Sequence, residues 1–280
     1  MNNNLPSKMS FMQYVATNSI QNAIQKIVGQ DSQRFISAIT SAVTTNQQLS
    51  ECTNDSIVSA ALLGESLKLS PSPQLGQYYI VPFNSYAGQD KNKQPIYKKV
   101  AQFQLGYKGY IQLAIRSGQY RDIDVIDVRQ GEYLGRNKST GKFEFNFIED
   151  EDVRENLPII GYMAYFEYLN GFYKCIYWSK EKMEKHALKY SQAYASDKKK
   201  KTDYSFWTKD FDGMAYKTMI RQLISKWGIM SVDFQKAFEN DMATIENDKP
   251  RYVDSEIILP GSIEEKIEEK EVKLSELSNN

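Results

Sequence analysis

Residues 205–228, SFWTKDFDGMAYKTMIRQLISKWG, read as one amphipathic helix around which the rest of the chain is organised. At about 3.6 residues per turn, Tyr216, Met219, Ile220, Leu223, Ile224 and Trp227 gather on one side, a stripe wide enough to face a core. Ser205 or Thr208 supplies an oxygen for the first N–H groups, Asp210 and Asp212 lie where the dipole favours carboxylates, and Gly228 supplies a left-handed stop. Away from the stripe, Lys217 and Arg221 stand four apart, with Asp210 two turns earlier on the same side. A cation pair on a helix is most often a solvated face, so function has to be argued from other stretches as well.

Toward the N-terminus, Lys198–Lys201 reads as a polar connection that adds nonspecific attraction to a polyanion, and Ser179 caps a helix, KEKMEKHALKY. His186, the only histidine, reads as a surface residue of that lysine-rich helix. Before it come strand patterns: RDIDVIDVR, the alternating Phe143, Phe145 and Phe147, and the pair IIGYMAYFEYL and FYKCIYWS, joined by the turn residues Asn170 and Gly171. Residues 106–120, GYKGYIQLAIRSGQY, predict a short helix ended by Gly118. Its Lys108, Gln112 and Arg116 recur every four residues, interleaved with Tyr107, Tyr110 and Tyr120, so cations could hold phosphates while rings stack bases. Upstream, GQYYIVPF and KKVAQFQL predict a hairpin whose long connection, residues 84–97, forms a polar finger carrying Asn84, Ser85, Tyr86, Lys91 and Lys93. Three helices come first: residues 9–28, a second begun by Asp31 or Ser32, and a third begun by Thr53 or Asn54.

The chain of 280 residues fits one large domain with appendages. The segments expected are an N-terminal helix (1–29) as a candidate oligomer contact, a core (30–247), and a linker with an acidic tail (248–280). The fold class expected is α+β, with helices packed on antiparallel β-hairpins. Formal charge is zero, but residues 255–280 hold seven Glu against three Lys, which leaves the body mildly basic. Ser262 and Glu265 form a capping box for a last helix, either a solvated tail or a docking element. Apolar runs are too short to span a bilayer, the start lacks a signal-peptide pattern, and Cys52 and Cys175 have no ligand-like neighbours, so a cytoplasmic protein without disulfide or zinc is expected.

Taken together, LGQYYIVPF, GYKGYIQLAIRSGQY and W-x-x-D-F-D-x-M-A-x-K-T-x-x-R-x-L resemble the RecT family of phage single-strand annealing recombinases, over about Ile57 to Trp227. The likeness is greatest to members from phages of Gram-positive bacteria. It implies binding of single-stranded DNA and pairing of complementary strands without ATP, as a helical or ring-shaped homo-oligomer and with no bond chemistry. No cofactor is required on this reading, Mg2+ affects annealing by screening, and the partners implied are a phage exonuclease and the host single-strand binding protein. No P-loop pattern G-x-x-x-x-G-K-[ST] occurs. Carried over by position, the DNA-binding residues are Lys108, Arg116, Gln119, Tyr120, Lys209, Lys217 and Arg221, with Asn84, Ser85 and Lys91 in the finger. An annealing protein holds phosphates and leaves base edges free. Residues 128–136, VRQGEYLGR, depart from the family's acidic-x-aromatic order, and nothing is carried over from that region.

Two other readings stand beside this one. A metal-dependent nuclease would use Asp122 with Asp124, or Asp210 with Asp212. A phage structural protein would use its tyrosine-rich strands and terminal helices for protein contacts alone.

Overall fold

Apolar residues three and four apart build the N-terminal helices, but Thr17 divides the first of them. In the computed structural model, which describes residues 9–72, 74–241, 243–246 and 249–252, α1 (Phe11–Val15) opens with a capping box of Ser10 and Gln13. Thr17 is extended, with φ −68° and ψ 138°, and its hydroxyl donates to the Tyr14 carbonyl, so α2 (Asn18–Val28) starts afresh. Next come α3 (Ser32–Thr45) and α4 (Asn54–Ser66), which bury Phe35, Ile39, Val43, Ile57, Ala61 and Leu63.

β1 (Tyr78–Gln89) and β2 (Pro95–Leu105) pair antiparallel through almost all of the stretch expected as a loop. Only Asp90 to Gln94 turns, with Asp90 Oδ1 accepting from the Asn92 and Gln94 N–H groups at 2.8 Å. A two-stranded ribbon needs no apolar alternation where both faces meet water, which is why the polar finger hid its strands. Tyr86 and Tyr97 face each other there, ring edge to ring face at 6.2 Å. α5 (Tyr107–Arg116) then packs against the backbone before β1. A Cβ on Gly106 would lie 2.1 Å from the Gly76 carbonyl oxygen, and one on Gly109 the same distance from that of Gln77. This close approach is the physical content of the paired glycine-and-tyrosine motifs.

Among the described residues the chain forms two units, one of residues 118–229 and the other of the remainder on either side. The inserted unit holds β3 (Tyr120–Arg129), β4 (Tyr133–Arg136), β5 (Phe143–Phe145), α6 (Glu151–Glu155), β6 (Ile159–Tyr168) and β7 (Tyr173–Ser179). β3, β6 and β7 make an antiparallel sheet with β6 central, while β4 and β5 pair separately. α7 (Lys180–Tyr190), α8 (Gln192–Lys200), α9 (Phe206–Lys209) and α10 (Phe211–Trp227) complete it. Alternation along β6 turns Tyr162 and Tyr168 toward α10, and their hydroxyls donate to Asp212 Oδ1 at 2.5 Å and to the Trp227 carbonyl at 2.7 Å.

The helix expected over residues 205–228 is therefore two helices. Asp210 leaves the helical region at φ −147°, and its carboxylate accepts from the Gly213 N–H at 2.9 Å. A side chain at Gly213 would collide with that cap, its Cβ lying 2.2 Å from Asp210 Oδ2. Gly228 is extended at φ −77° and ψ 141°, not left-handed as expected. It leads into Ile229, whose N–H donates to the Tyr168 hydroxyl at 2.6 Å and whose carbonyl accepts from Tyr120 at 3.0 Å.

On returning to the first unit, the chain forms α11 (Val232–Asn240), capped by Ser231, where no clear helix was expected. β8 (Ala243–Glu246), at the end of the expected core, and β9 (Lys249–Tyr252), at the start of the segment expected as a linker, pair antiparallel. Asp241, fully buried, accepts from the Leu105 N–H at 2.8 Å and the Tyr110 hydroxyl at 2.9 Å, tying the return to β2 and α5. The helix expected from Ser262 lies outside the described residues. Among those described, no helix is long and apolar enough to cross a membrane.

Candidate nucleic-acid interface

In the first unit, the four-residue interval on α5 does place Lys108, Gln112 and Arg116 on its exposed side. The Lys108 ammonium lies 6.0 Å from the Tyr107 ring, and its stem and the exposed Tyr79 both border Gly76. Arg116 is also structural: Nη2 donates to the Leu67 carbonyl at 2.7 Å and Nη1 to that of Lys68 at 3.3 Å, covering the end of α4. Tyr110 is fully buried and so offers no stacking face. On the hairpin, Asn84 lies exposed opposite Lys99, and Lys91 is exposed in the turn. Ser85 instead points inward, and its hydroxyl has no hydrogen-bond partner.

In the second unit, Gln119 is exposed, while Tyr120 is enclosed by Phe166 and Tyr168, with ring centroids at 5.5 and 4.9 Å. Burial first, then the hydrogen bond and charge of Tyr168, push its phenol far above the ordinary range. Lys209 is exposed at the end of α9, Arg221 is half-buried, and Lys217, expected on an outer rail, is only 7% exposed. The run Lys198–Lys200 is the last turn of α8 and not a connection, with Lys201 closing it in the left-handed region at φ 55°. Buried Asp197 fixes the segment leading into α9, accepting from the Thr202 hydroxyl at 2.6 Å, the Ser205 N–H at 2.7 Å and the Thr208 hydroxyl at 2.8 Å. These bonds, Thr202 foremost, hold its carboxyl well below the usual range.

A surface that the sequence patterns did not single out lies on β7, α7 and α10. Lys182 stands 4.2 Å from the Trp178 ring, and Lys174 and Lys226 stand 4.5 and 5.9 Å from that of Trp227. The His186 ring contacts those of Trp178 and Tyr190, with centroids at 5.3 and 4.6 Å, and is half-buried, not a plain surface residue. Burial, then Lys189, Lys182 and Arg221, push its pKa down to about 4, so it is neutral at pH 7. Lys182 is itself lowered, by burial and then by Lys226. Like charges gathered this closely repel one another, and a polyanion relieves them. The only sequence signal was the spacing of Lys182, His186 and Lys189 on one helix, which says nothing of Lys174, Arg221 and Lys226 arriving from other elements.

The carboxylates of the nuclease reading are engaged elsewhere. Asp122 accepts from the Tyr165 hydroxyl at 3.0 Å, Asp210 caps α10 and Asp212 holds Tyr162. Among the described residues no group of three or more His, Cys, Asp or Glu is placed to hold a metal ion. Glu132, in the stretch from which nothing was carried over, is fully buried and accepts from Arg154 Nε at 2.7 Å and the Arg129 N–H at 2.6 Å. Burial opposes its charge, but Arg154 and these bonds prevail and hold its carboxyl below the usual range.

The family model described as the RecT family matches residues 33–253. The chain is 38% identical over 245 residues to protein YqaK of Bacillus subtilis, a match covering 85% of this chain and 76% of that protein. It is 28% identical over 216 residues to protein RecT of Escherichia coli, covering 75% of this chain and 71% of that one.

Proposed function

Because this chain belongs to the RecT family, we propose that it binds single-stranded DNA and anneals complementary strands without ATP, as an oligomeric filament or ring. Membership supports a role in recombination or strand annealing in general. The observation that carries the finer reading is the face of β7, α7 and α10, where Lys174, Lys182 and Lys226 stand over tryptophan rings. Such a surface attracts a phosphate backbone and tolerates any base, as pairing of arbitrary sequences requires. In the same unit Lys209 adds an exposed cation on α9, and in the other unit Lys108 and Lys91 are exposed cations of α5 and the hairpin, with the polar Asn84 exposed on the latter. The phage exonuclease and host single-strand binding protein are retained as proposed partners, and Mg2+ as an aid to pairing through charge screening.

The test is annealing of two complementary fluorescently labelled oligonucleotides by the full chain, without nucleotide, across a salt series, with strand length followed on a denaturing gel. Accelerated pairing of intact strands supports the reading. Shortened strands would favour the nuclease, and neither pairing nor cleavage would favour a structural protein.

A further inference from the structure

We propose that the face of β7, α7 and α10 is a nucleotide subsite for single-stranded DNA, with a base stacked on Trp227 and a neighbouring phosphate received by Lys182 and Lys226 beside His186. This rests on the annealing reading and adds to it a place and a mode of contact.

Trp227 is 37% exposed at the end of α10, so part of its indole is open to a flat partner. With the Lys174 and Lys226 ammonium groups 4.5 and 5.9 Å from its ring centre, one spot offers an indole ring and two hydrogen-bond donors for phosphate. Acidic residues of the same helices are turned away or engaged: Glu181 pairs with Lys185 at 2.6 Å, Glu184 with Lys198 at 2.9 Å, and Asp212 holds Tyr162. The charged groups acting on His186, which are Lys182 and Lys189 from α7 and Arg221 from α10, are all cations. A phosphate arriving there offsets that repulsion. Stacking on Trp227 needs an unpaired base, so the subsite selects single strands over duplex.

The full chain is titrated with labelled oligodeoxythymidylate and with a blunt duplex of equal length, following anisotropy and tryptophan emission. Of the three tryptophans, Trp207 is 3% exposed and packed against Tyr194 and Phe211, so it should be silent. Trp207→Phe should keep quenching by the oligonucleotide, Trp227→Phe should lose most of it, and Trp227→Ala should reduce affinity about tenfold. Lys182→Gln with Lys226→Gln should lower the slope of log affinity against log salt by about 0.7, the value for one single-strand phosphate. Both lysines are exposed, so this pair decides the matter if Trp227→Phe fails to fold. Wild-type affinity, slope and quenching in these variants, or equal affinity for duplex, would overturn the subsite while leaving the annealing reading intact. A wild-type chain that binds no oligonucleotide would instead overturn the annealing reading itself.

Discussion

Arg116 donates through Nη2 to the Leu67 carbonyl at 2.7 Å, so a residue expected to hold phosphate also closes the end of a helix. Removing it leaves the Leu67 and Lys68 carbonyls, just past α4, without their charged donor. Arg116→Ala should lower stability by about 1–3 kcal/mol in a urea titration at neutral pH. A variant that loses DNA affinity at unchanged stability would assign Arg116 to the ligand alone.

Gly109 tolerates no side chain, because its Cβ would stand 2.1 Å from the Gln77 carbonyl oxygen. Backbone cannot move aside as a flexible side chain can. Gly109→Ala should cost roughly 2–4 kcal/mol by thermal or chemical unfolding, despite the better helix propensity of alanine.

Glu132 and Arg154 form a buried pair, and breaking it from one side strands a charge. Glu132→Ala should cost about 3–5 kcal/mol. Because the folded carboxyl sits below its ordinary value, the unfolded chain takes up the proton first as pH falls. The stability contributed by Glu132 is present above the unfolded carboxylate range and is lost as acidification passes through the folded one. Equilibrium unfolding of wild type and Glu132→Gln from pH 6 downward should show that difference shrink.

His186 behaves with the opposite chemistry and the same slope. Its folded value of about 4 lies below that of a free imidazole, so protons favour the unfolded chain as pH falls from about 6.5. Stability should drop by about 2 kcal/mol between pH 7 and 5, and His186→Gln should remove that part of the drop. Unfolding curves at the two pH values measure it.

Lys209 and Lys217 should separate by exposure. Lys209→Ala should lower the salt slope of oligonucleotide binding by about 0.7, whereas Lys217→Ala, at a site only 7% exposed, should act mainly on stability. Binding isotherms at several salt concentrations, paired with unfolding curves, distinguish the two.

Elements with strong periodicity were legible in the sequence. The Asn170–Gly171 turn, the strand RDIDVIDVR and the Ser179 cap stand where pattern placed them. Breaks were not, because Thr17 and Asp210 interrupt helices through hydrogen bonds of single side chains, and apolar spacing continues across both. The hairpin's outer half was hidden because solvated strands need not alternate, and β8 with β9 for a related reason, being short and rich in polar residues. Of the candidate site, individual cations such as Lys108 and Lys209 could be named from motifs. Their depth could not, since Lys217 and Tyr120 carry groups typical of surfaces into the interior. Nor could the company of His186, which depends on Trp178 of the preceding strand and on Arg221 of a helix further along the chain.

The bond from the Leu105 N–H to Asp241 bridges 136 residues, with the whole second unit between its ends. Closing so long a loop is slow compared with forming local helices and hairpins. During synthesis the inserted unit is complete once Ile229 has emerged, while the first still lacks α11 and the carboxylate that receives Tyr110. Residues translated before the inserted unit thus belong to the part finished last. A nascent chain halted between Ile229 and Asp241 would present a protease-resistant middle flanked by cleavable N-terminal sequence, and release of a few more residues would protect both.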